Sequence, residues 1–278
     1  METIEIKELL EAGVHLGHQR KNWNPKMEQY IYGDKDGSCI INLAKTAELL
    51  EKASLFLKEA AAQKKNIIFV GTKRQISELV KEEAERCGAF YINRRWLGGL
   101  LTNFDTIRQR LNRLRELEEM QETGTLSHSN KKELAVFNKE LEKLQKTLGG
   151  IKNMRGKAEI LFVIDQQKEE IAIKEAQLTG LKIVAIIDTN SNPDGIHYPV
   201  PGNDDSIRSV KLVVSKIANA IIEGHAGQVP DVHKSKNAYS KRVTNIKSPV
   251  RLVQEVAVPV DQSAPMGQVL QPIQEVSP

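Results

Sequence analysis

The chain has 278 residues, of which 40% are hydrophobic, so it is long and apolar enough to fold around a substantial core. Its 40 basic and 36 acidic residues leave a net charge of +4, which by itself does not establish a nucleic-acid partner. No apolar run reaches membrane-spanning length, and residues 1–10 alternate acidic and apolar side chains, so we expect neither a membrane anchor nor a secretion signal. The two cysteines lack metal-site spacing and fit a reducing compartment.

The first 65 residues predict a short helix, a β-hairpin and a longer helix. Residues 4–12 are amphipathic and end at Gly13, which is a typical helix stop. Two apolar segments, 30–33 and 39–43, flank a turn rich in Asp and Gly. Residues 45–63 then place leucine and alanine at helical spacing.

Three short runs of β-branched and aliphatic residues predict buried strands. They are residues 66–70 (NIIFV), 160–164 (ILFVI) and 183–187 (IVAII). Predicted helices follow them at residues 75–86, 168–178 and 206–223. Apolar strands that alternate with helices are typical of a parallel sheet covered on both faces, so we expect a three-layer α/β protein.

Two heptad-like seams interrupt this alternation, at residues 104–120 and 134–151. The Gly-, Ser- and Thr-containing connection at 123–130 predicts that the two helices fold back as an antiparallel coiled-coil hairpin. After Gly227 the chain loses its periodicity, which predicts a disordered tail. The expected organisation is therefore a first part of the α/β domain at 1–101, a hairpin insertion at 102–151, a second part of the α/β domain at 152–227, and a flexible extension at 228–278.

Catalytic and cofactor motifs are weak. The segment from Gly71 to Arg74 follows a predicted strand, but it matches neither a dinucleotide fingerprint nor a phosphate-binding loop. No serine or cysteine stands in a recognisable nucleophile motif. We therefore expect that the protein is not an enzyme and needs no cofactor.

Three acidic residues leave a metal site open as an alternative. Asp188 ends a predicted strand, and Asp204 and Asp205 precede the last predicted helix. Carboxylates at strand ends can hold magnesium, or zinc if a histidine joins them, whereas the simpler interpretation is helix and turn capping, which we favour. His15 and His18 have helix-like spacing, but Gly17 between them predicts a turn.

Basic residues cluster beside tryptophan in two predicted loops and then continue into the first hairpin helix. Arginine pairs with phosphate in a bidentate manner and stacks on bases, so this pattern favours structured RNA. Alternatively, each tryptophan is a buried anchor and the charges on the helix form a solvated face. The pattern consists of Arg20 and Lys21 in the first loop, Arg94 and Arg95 in the second, and Arg108, Arg110 and Arg113 on the helix.

Five segments closely resemble, in order and spacing, the bacterial-type family of the second protein of the small ribosomal subunit. These segments are LLEAGVHLGHQRKNWNPKM, GTKRQ, NRRWLGGLLTNFDTIRQRL, ILFVIDQQKEEIAIKEA and VAIIDTNSNPDGIHYPVPGNDDSIRSV. The resemblance implies a flavodoxin-like core that carries a coiled-coil hairpin and binds small-subunit rRNA. It also implies contact with neighbouring ribosomal proteins, including the large mRNA-binding protein of the subunit. The RNA-binding candidates that the resemblance implies are Arg20, Lys21, Lys73, Arg74, Arg94, Arg95, Arg108, Arg110 and Arg113. Asp188, Asp204 and Asp205 lie at matching motif positions.

We therefore expect a structural protein of translation that acts in cytoplasmic ribosomes, of a bacterium or of a plastid, and that contacts neither DNA nor membrane. The rival hypothesis is a flavodoxin-like phosphate-binding or metal-dependent enzyme that has acquired a coiled coil.

Overall fold

The computed structural model describes residues 5–123, 131–154 and 156–233. Its strands are β1 Leu16–Gln19, β2 Ile31–Lys35, β3 Ser38–Ile41, β4 Ile67–Val70, β5 Phe90–Ile92, β6 Ile160–Ile164, β7 Lys182–Ile187 and β8 Tyr198–Pro201. Its α-helices are α1 Ile6–Glu11, α2 Leu43–Ala62, α3 Ser77–Cys87, α4 Phe104–Glu122, α5 Lys131–Leu148, α6 Glu170–Leu178 and α7 Ile207–Gly224.

The main sheet is parallel and has the strand order β5-β4-β6-β7-β8. Its three central strands are the three predicted ones, which are fully buried apart from Lys182. Sequence reasoning missed both edge strands. β5 is only three residues long, and β8 contains Pro199 and Pro201, which suit an edge strand because proline has no amide hydrogen to pair with a further strand.

Helices cover the two faces of this sheet. On one face α2, α3 and α7 bury an apolar layer that includes Phe69 and Phe162, whose rings meet edge to face at 4.9 Å. On the other face lie α6, the loop after β5, and parts of α4 and α5. The arrangement is the predicted three-layer α/β fold and fits a flavodoxin-like architecture.

The N-terminal segment forms a separate antiparallel sheet in the order β1-β3-β2. The predicted hairpin of β2 and β3 is confirmed. The turn expected at Gly17 is wrong, because this residue lies in β1, which pairs with β3. Glycine is needed here because a Cβ atom at position 17 would lie 2.5 Å from the Thr189 side chain.

The two seam helices are present, and five of their leucines are buried in the core. Leu111, Leu114 and Leu117 of α4, with Leu141 and Leu148 of α5, join the core beside the sheet.

Polar contacts link α4 and α5 without establishing the register of an antiparallel coiled coil. Arg113 Nε donates to Glu140 at 3.4 Å, and Gln145 Nε2 donates to Glu118 at 3.2 Å. From Arg113 to Glu118 along α4, the partner changes from Glu140 to Gln145, so both residue numbers rise together. In an antiparallel pair one number falls as the other rises, and the antiparallel pairing therefore stays a prediction. Most of the connection predicted at 123–130 lies outside the described residues.

Residues 228–233 belong to the predicted flexible extension, but they contact the globular part. Asn153 Nδ2 donates to the Val232 carbonyl at 2.7 Å, and His233 Nε2 lies 2.7 Å from the Ala89 carbonyl. The rest of the predicted disordered tail, 234–278, lies outside the described residues. Within the parts of the chain that the structure describes, no helix has the length and apolar character needed to cross a membrane.

Two adjacent glycines at the end of α5 allow a matched test of packing. A Cβ atom on Gly150 would lie 2.2 Å from the Tyr91 carbonyl oxygen, whereas one on Gly149 would meet nothing within 4 Å. We expect Gly150→Ala to lower the free energy of unfolding by about 2 kcal/mol, since the backbone must shift to relieve the contact. Gly149→Ala is the control and should change stability little. Urea denaturation monitored by circular dichroism measures both, and equal effects would contradict this packing.

Candidate nucleic-acid interface

The carboxyl ends of the parallel strands bring most of the predicted site residues to one edge of the sheet. Lys73 and Arg74 follow β4, and Arg94 and Arg95 follow β5. Asp188 follows β7. Two further residues, Asp204 and Asp205, come shortly after β8. Such an edge is the usual location of binding sites in open parallel sheets, because the loops there converge.

Lys73 is at the centre of an acidic cluster. Its Nζ atom lies 2.9 Å from Asp165 Oδ2, 2.9 Å from Asp204 Oδ1 and 2.7 Å from Asp205 Oδ1. The Lys73 side chain is 18% exposed and that of Asp204 only 2%. Lys73 therefore neutralises buried carboxylates, and it is not presented as a surface cation.

His18 closes the same cluster from the N-terminal sheet. Its Nδ1 atom lies 3.1 Å from Asp188 Oδ2, and its Nε2 atom lies 3.3 Å from Asp205 Oδ2. The backbone amide of His18 donates to Thr189 Oγ1 at 2.9 Å. The Thr189 amide and hydroxyl in turn donate to Asp188 Oδ1. These bonds hold β1 against the end of β7.

Ionisation in the cluster reflects this geometry. The hydrogen bond to Asp188 raises the pKa of His18 to about 9, although burial opposes the shift. Burial, followed by the charges of Asp188 and Asp165, raises the pKa of Asp204 to about 7. The hydrogen bond from Lys73 lowers the pKa of Asp205. His18 is therefore an imidazolium at neutral pH and supplies the second positive charge of the cluster.

The predicted metal ligands are only partly brought together. His18, Asp188 and Asp204 each offer a donor atom, and these atoms lie within 4.8 Å of one another. Asp205 is directed to Lys73 and to the other imidazole nitrogen instead. A mixed set of one imidazole and two carboxylates suits zinc better than magnesium, which prefers oxygen ligands alone.

The first basic loop is continuous with β1. Arg20 begins a short 3₁₀ helix, Arg20–Asn22, and its guanidinium lies 4.0 Å from the centre of the Trp23 ring. Arg20 and Lys21 are exposed, and Trp23 is half-buried. Arg74 is also exposed, in the loop after β4. A cation stacked on an aromatic ring leaves guanidinium hydrogens available for phosphate.

The second basic loop follows β5. Arg94 and Arg95 are both exposed, and Arg94 Nη2 pairs with Glu78 at 3.0 Å. The next residue, Trp96, is buried, as the anchor interpretation expected. The loop thus turns its two arginines outward while its tryptophan enters the core.

The arginines of α4 are in different environments. Arg108 is exposed and pairs with Asp105 within the helix, and Arg110 is exposed. Arg113 is half-buried and makes ion pairs with Glu116 and Glu140. Arg108 and Arg110 therefore extend the basic surface, whereas Arg113 joins the two helices.

Comparison with known proteins gives a direct family match. The family model described as ribosomal protein S2 matches residues 9–224. A curated relative, small ribosomal subunit protein uS2 of Picosynechococcus sp., is 52% identical over 231 residues, which is 83% of this chain and 90% of the relative. The chain belongs to the ribosomal protein S2 family. The match to the family model ends at the last residue of α7, Gly224, so the C-terminal extension at 228–278 lies beyond it.

Sequence reasoning missed three buried acidic residues that the S2 fold places behind the basic loops. They are Asp165 beside Lys73, Glu169 and Glu175. Glu169 Oε1 accepts hydrogen bonds from the amide and the hydroxyl of Thr72, at 3.1 and 2.5 Å. One signal was available, because Glu175 lies on the apolar face of α6 beside Ala172 and Ala176.

Proposed function

We propose that the chain is a structural component of the small ribosomal subunit and binds small-subunit rRNA. The observation that carries this proposal is the pair of basic loops, one after β1, which is held against the end of β7, and one after β5. Their exposed arginines stand beside a tryptophan that is either stacked or buried. Exposed guanidinium groups on rigid loops suit the irregular phosphate positions of folded RNA.

The proposed RNA contacts differ in how directly they reach the RNA. Seven exposed cations are the primary candidates: Arg20, Lys21, Arg74, Arg94, Arg95, Arg108 and Arg110. Lys73 and Arg113 form ion pairs with carboxylates and are less exposed, so we propose that they stabilise the basic surface and do not contact the RNA directly. No catalytic role is proposed for any of them.

We further propose that α4 and α5 pair as an antiparallel coiled-coil hairpin. The leucine seams of both helices support this proposal. The hairpin and the globular domain would together help to hold the large mRNA-binding protein of the subunit. The proposed location is the ribosome, in the cytoplasm or in a plastid.

The cluster around Lys73 is proposed to work without a resident metal. Lys73 and the protonated His18 already oppose its carboxylates. The rival is a zinc or magnesium ion held by His18, Asp188 and Asp204. Calorimetric titration of the full chain with each metal separates the two. Heat that disappears in Asp204→Asn would favour the metal, and no binding heat would favour the metal-free cluster.

Removing two exposed arginines tests the RNA proposal. We expect Arg94→Gln combined with Arg95→Gln to weaken binding to small subunits that lack this protein by about tenfold or more. The slope of log affinity against log salt should fall by about 2, because two phosphate contacts are lost. Filter binding at several salt concentrations measures both quantities.

The matched control removes two exposed cations from the opposite layer, Lys52 of α2 and Lys211 of α7, by Lys→Gln substitution. This control should keep the affinity and the salt slope of the unaltered protein. Binding by the unaltered protein that does not depend on salt, or an equal loss in both double variants, would overturn the proposal.

A further inference from the structure

Glu175 is a buried carboxylate that makes an unusual set of contacts. The residue is 7% exposed, and both of its oxygens accept hydrogen bonds from the loop after β5. Oε1 accepts from Trp96 Nε1 at 3.1 Å and from the Gly99 amide at 2.8 Å. Oε2 accepts from the Leu101 amide at 3.0 Å and from the amide and hydroxyl of Thr102 at 3.3 and 3.2 Å.

These donors are all neutral groups of a single loop. A buried carboxylate is costly unless its oxygens are satisfied, and here the loop satisfies both of them. Burial opposes ionisation of Glu175, but the bonds from Gly99, Leu101 and Trp96 outweigh it and lower its pKa. Glu175 is thus a charged anchor around which the loop is wrapped.

The loop is held in the core by Trp96, Leu100 and Leu101, but its two glycines need a further anchor. Gly98 and Gly99 are adjacent, and Gly99 has a φ of +85°, a conformation that favours glycine. Loops containing consecutive glycines lose much conformational entropy on ordering. The bonds from Trp96 and Thr102 to the same carboxylate fix both ends of this glycine pair.

The anchored loop connects the two groups of exposed arginines. Arg94 and Arg95 directly precede Trp96, and α4, which carries Arg108 and Arg110, begins two residues after Thr102. Apolar residues of α4 fix this helix on the core, and the loop sets where Arg94 and Arg95 lie relative to it. Phosphates of a folded RNA are spaced rigidly, so both groups can bind together only if their separation is preset.

We propose that Glu175 is a positioning residue for RNA binding, which holds the arginines of the loop and those of α4 in the relative arrangement that the RNA requires. This inference rests on the proposed function. Glu175 would thus raise the affinity for RNA without touching the RNA. We expect an affinity about tenfold higher than without Glu175, because the loop and its two arginines need not be ordered during binding.

A double-mutant cycle on the full chain tests the proposal. Binding to small subunits that lack this protein is measured for Glu175→Gln, for Arg94→Gln with Arg95→Gln, and for the triple variant. Glu175→Gln alone should weaken binding about tenfold. In the background without the two arginines it should have little further effect, because Glu175 acts through them. Additive losses, or undiminished affinity in Glu175→Gln, would overturn the proposal.

Two further variants keep the experiment decisive. Trp96→Phe removes one donor to Glu175 while keeping an aromatic ring, and should show the same coupling on a smaller scale if Glu175→Gln does not fold. Glu169→Gln is the matched control, since this buried carboxylate holds the loop of Thr72 instead. It should not couple to Arg94 and Arg95.

Circular dichroism and urea unfolding of each variant separate lost stability from lost affinity. Failure of the unaltered protein to bind would contradict the proposed function itself. Failure of the coupling alone would contradict only the role of Glu175.

Discussion

Replacement of Lys73 by methionine is expected to lower the free energy of unfolding at neutral pH by about 2 kcal/mol. The substitution keeps most of the apolar side chain but removes the charge that contacts Asp165, Asp204 and Asp205. Because Asp204 is almost fully buried, water cannot replace the lost partner. For this reason, removing one member of a buried ion pair lowers the free energy of unfolding far more than removing a surface pair does.

Urea denaturation at neutral pH and at about pH 4 checks this expectation. The deficit of the Lys73→Met variant should shrink at the lower pH, because Asp204, whose pKa is raised to about 7, is then protonated with or without Lys73. Lys52→Met is the control, because Lys52 makes an exposed pair with Glu48 and should contribute less than about 1 kcal/mol. A loss no greater than that of the control would contradict the central role of Lys73.

The stability of the protein is expected to fall as pH rises from about 6.5 to about 9. His18 has a pKa of about 9 in the folded state against an ordinary value of 6.5, so the folded state binds its proton more tightly. This stabilisation is complete below pH 6.5 and is lost as the pH approaches 9. The shift corresponds to at most about 3 kcal/mol, since part of the side chain is exposed and screened.

His18→Gln should flatten the stability profile in that window, because glutamine carries no proton to lose there. The charged groups that face His18 are Asp188, Asp204 and Asp205, so the effect comes from their attraction for the imidazolium. His225→Gln is the control, since burial lowers the pKa of His225 and moves its titration below pH 6.5. Chemical denaturation in the presence of a chelator, at several pH values, measures the profile. An unchanged slope in His18→Gln would contradict the ion pair.

The local elements of the fold were largely predictable from particular residues. Runs such as ILFVI at β6 indicate strands buried on both faces, because they are short, rich in β-branched residues and have no water-facing position. The edge strands β5 and β8 were not predictable. β5 is too short to show a pattern, and the prolines of β8 argue against a strand until its place at the sheet edge is known.

The sequence predicted which basic residues belong to the candidate interface, but it did not predict which of them are exposed and which are paired with carboxylates. The clusters at Arg20 and Arg94 stood out because arginine and tryptophan are adjacent in the chain. Their residues do lie in exposed loops. Lys73 appeared equivalent to Arg74 in the sequence, yet the structure places the first among carboxylates and the second at the surface.

The sequence by itself determined the alternation of strands and helices, the seams of α4 and α5, and the motifs of the S2 family, because each depends on residues close together along the chain. Only the tertiary structure decided which charges compensate one another. His18 meets Asp188, and Lys73 meets Asp204, across separations of well over a hundred residues. Glu175 likewise reaches a loop more than seventy residues away. The physical reason is that these partners depend on which strand ends adjoin in the sheet, and spacing along the chain does not encode that order.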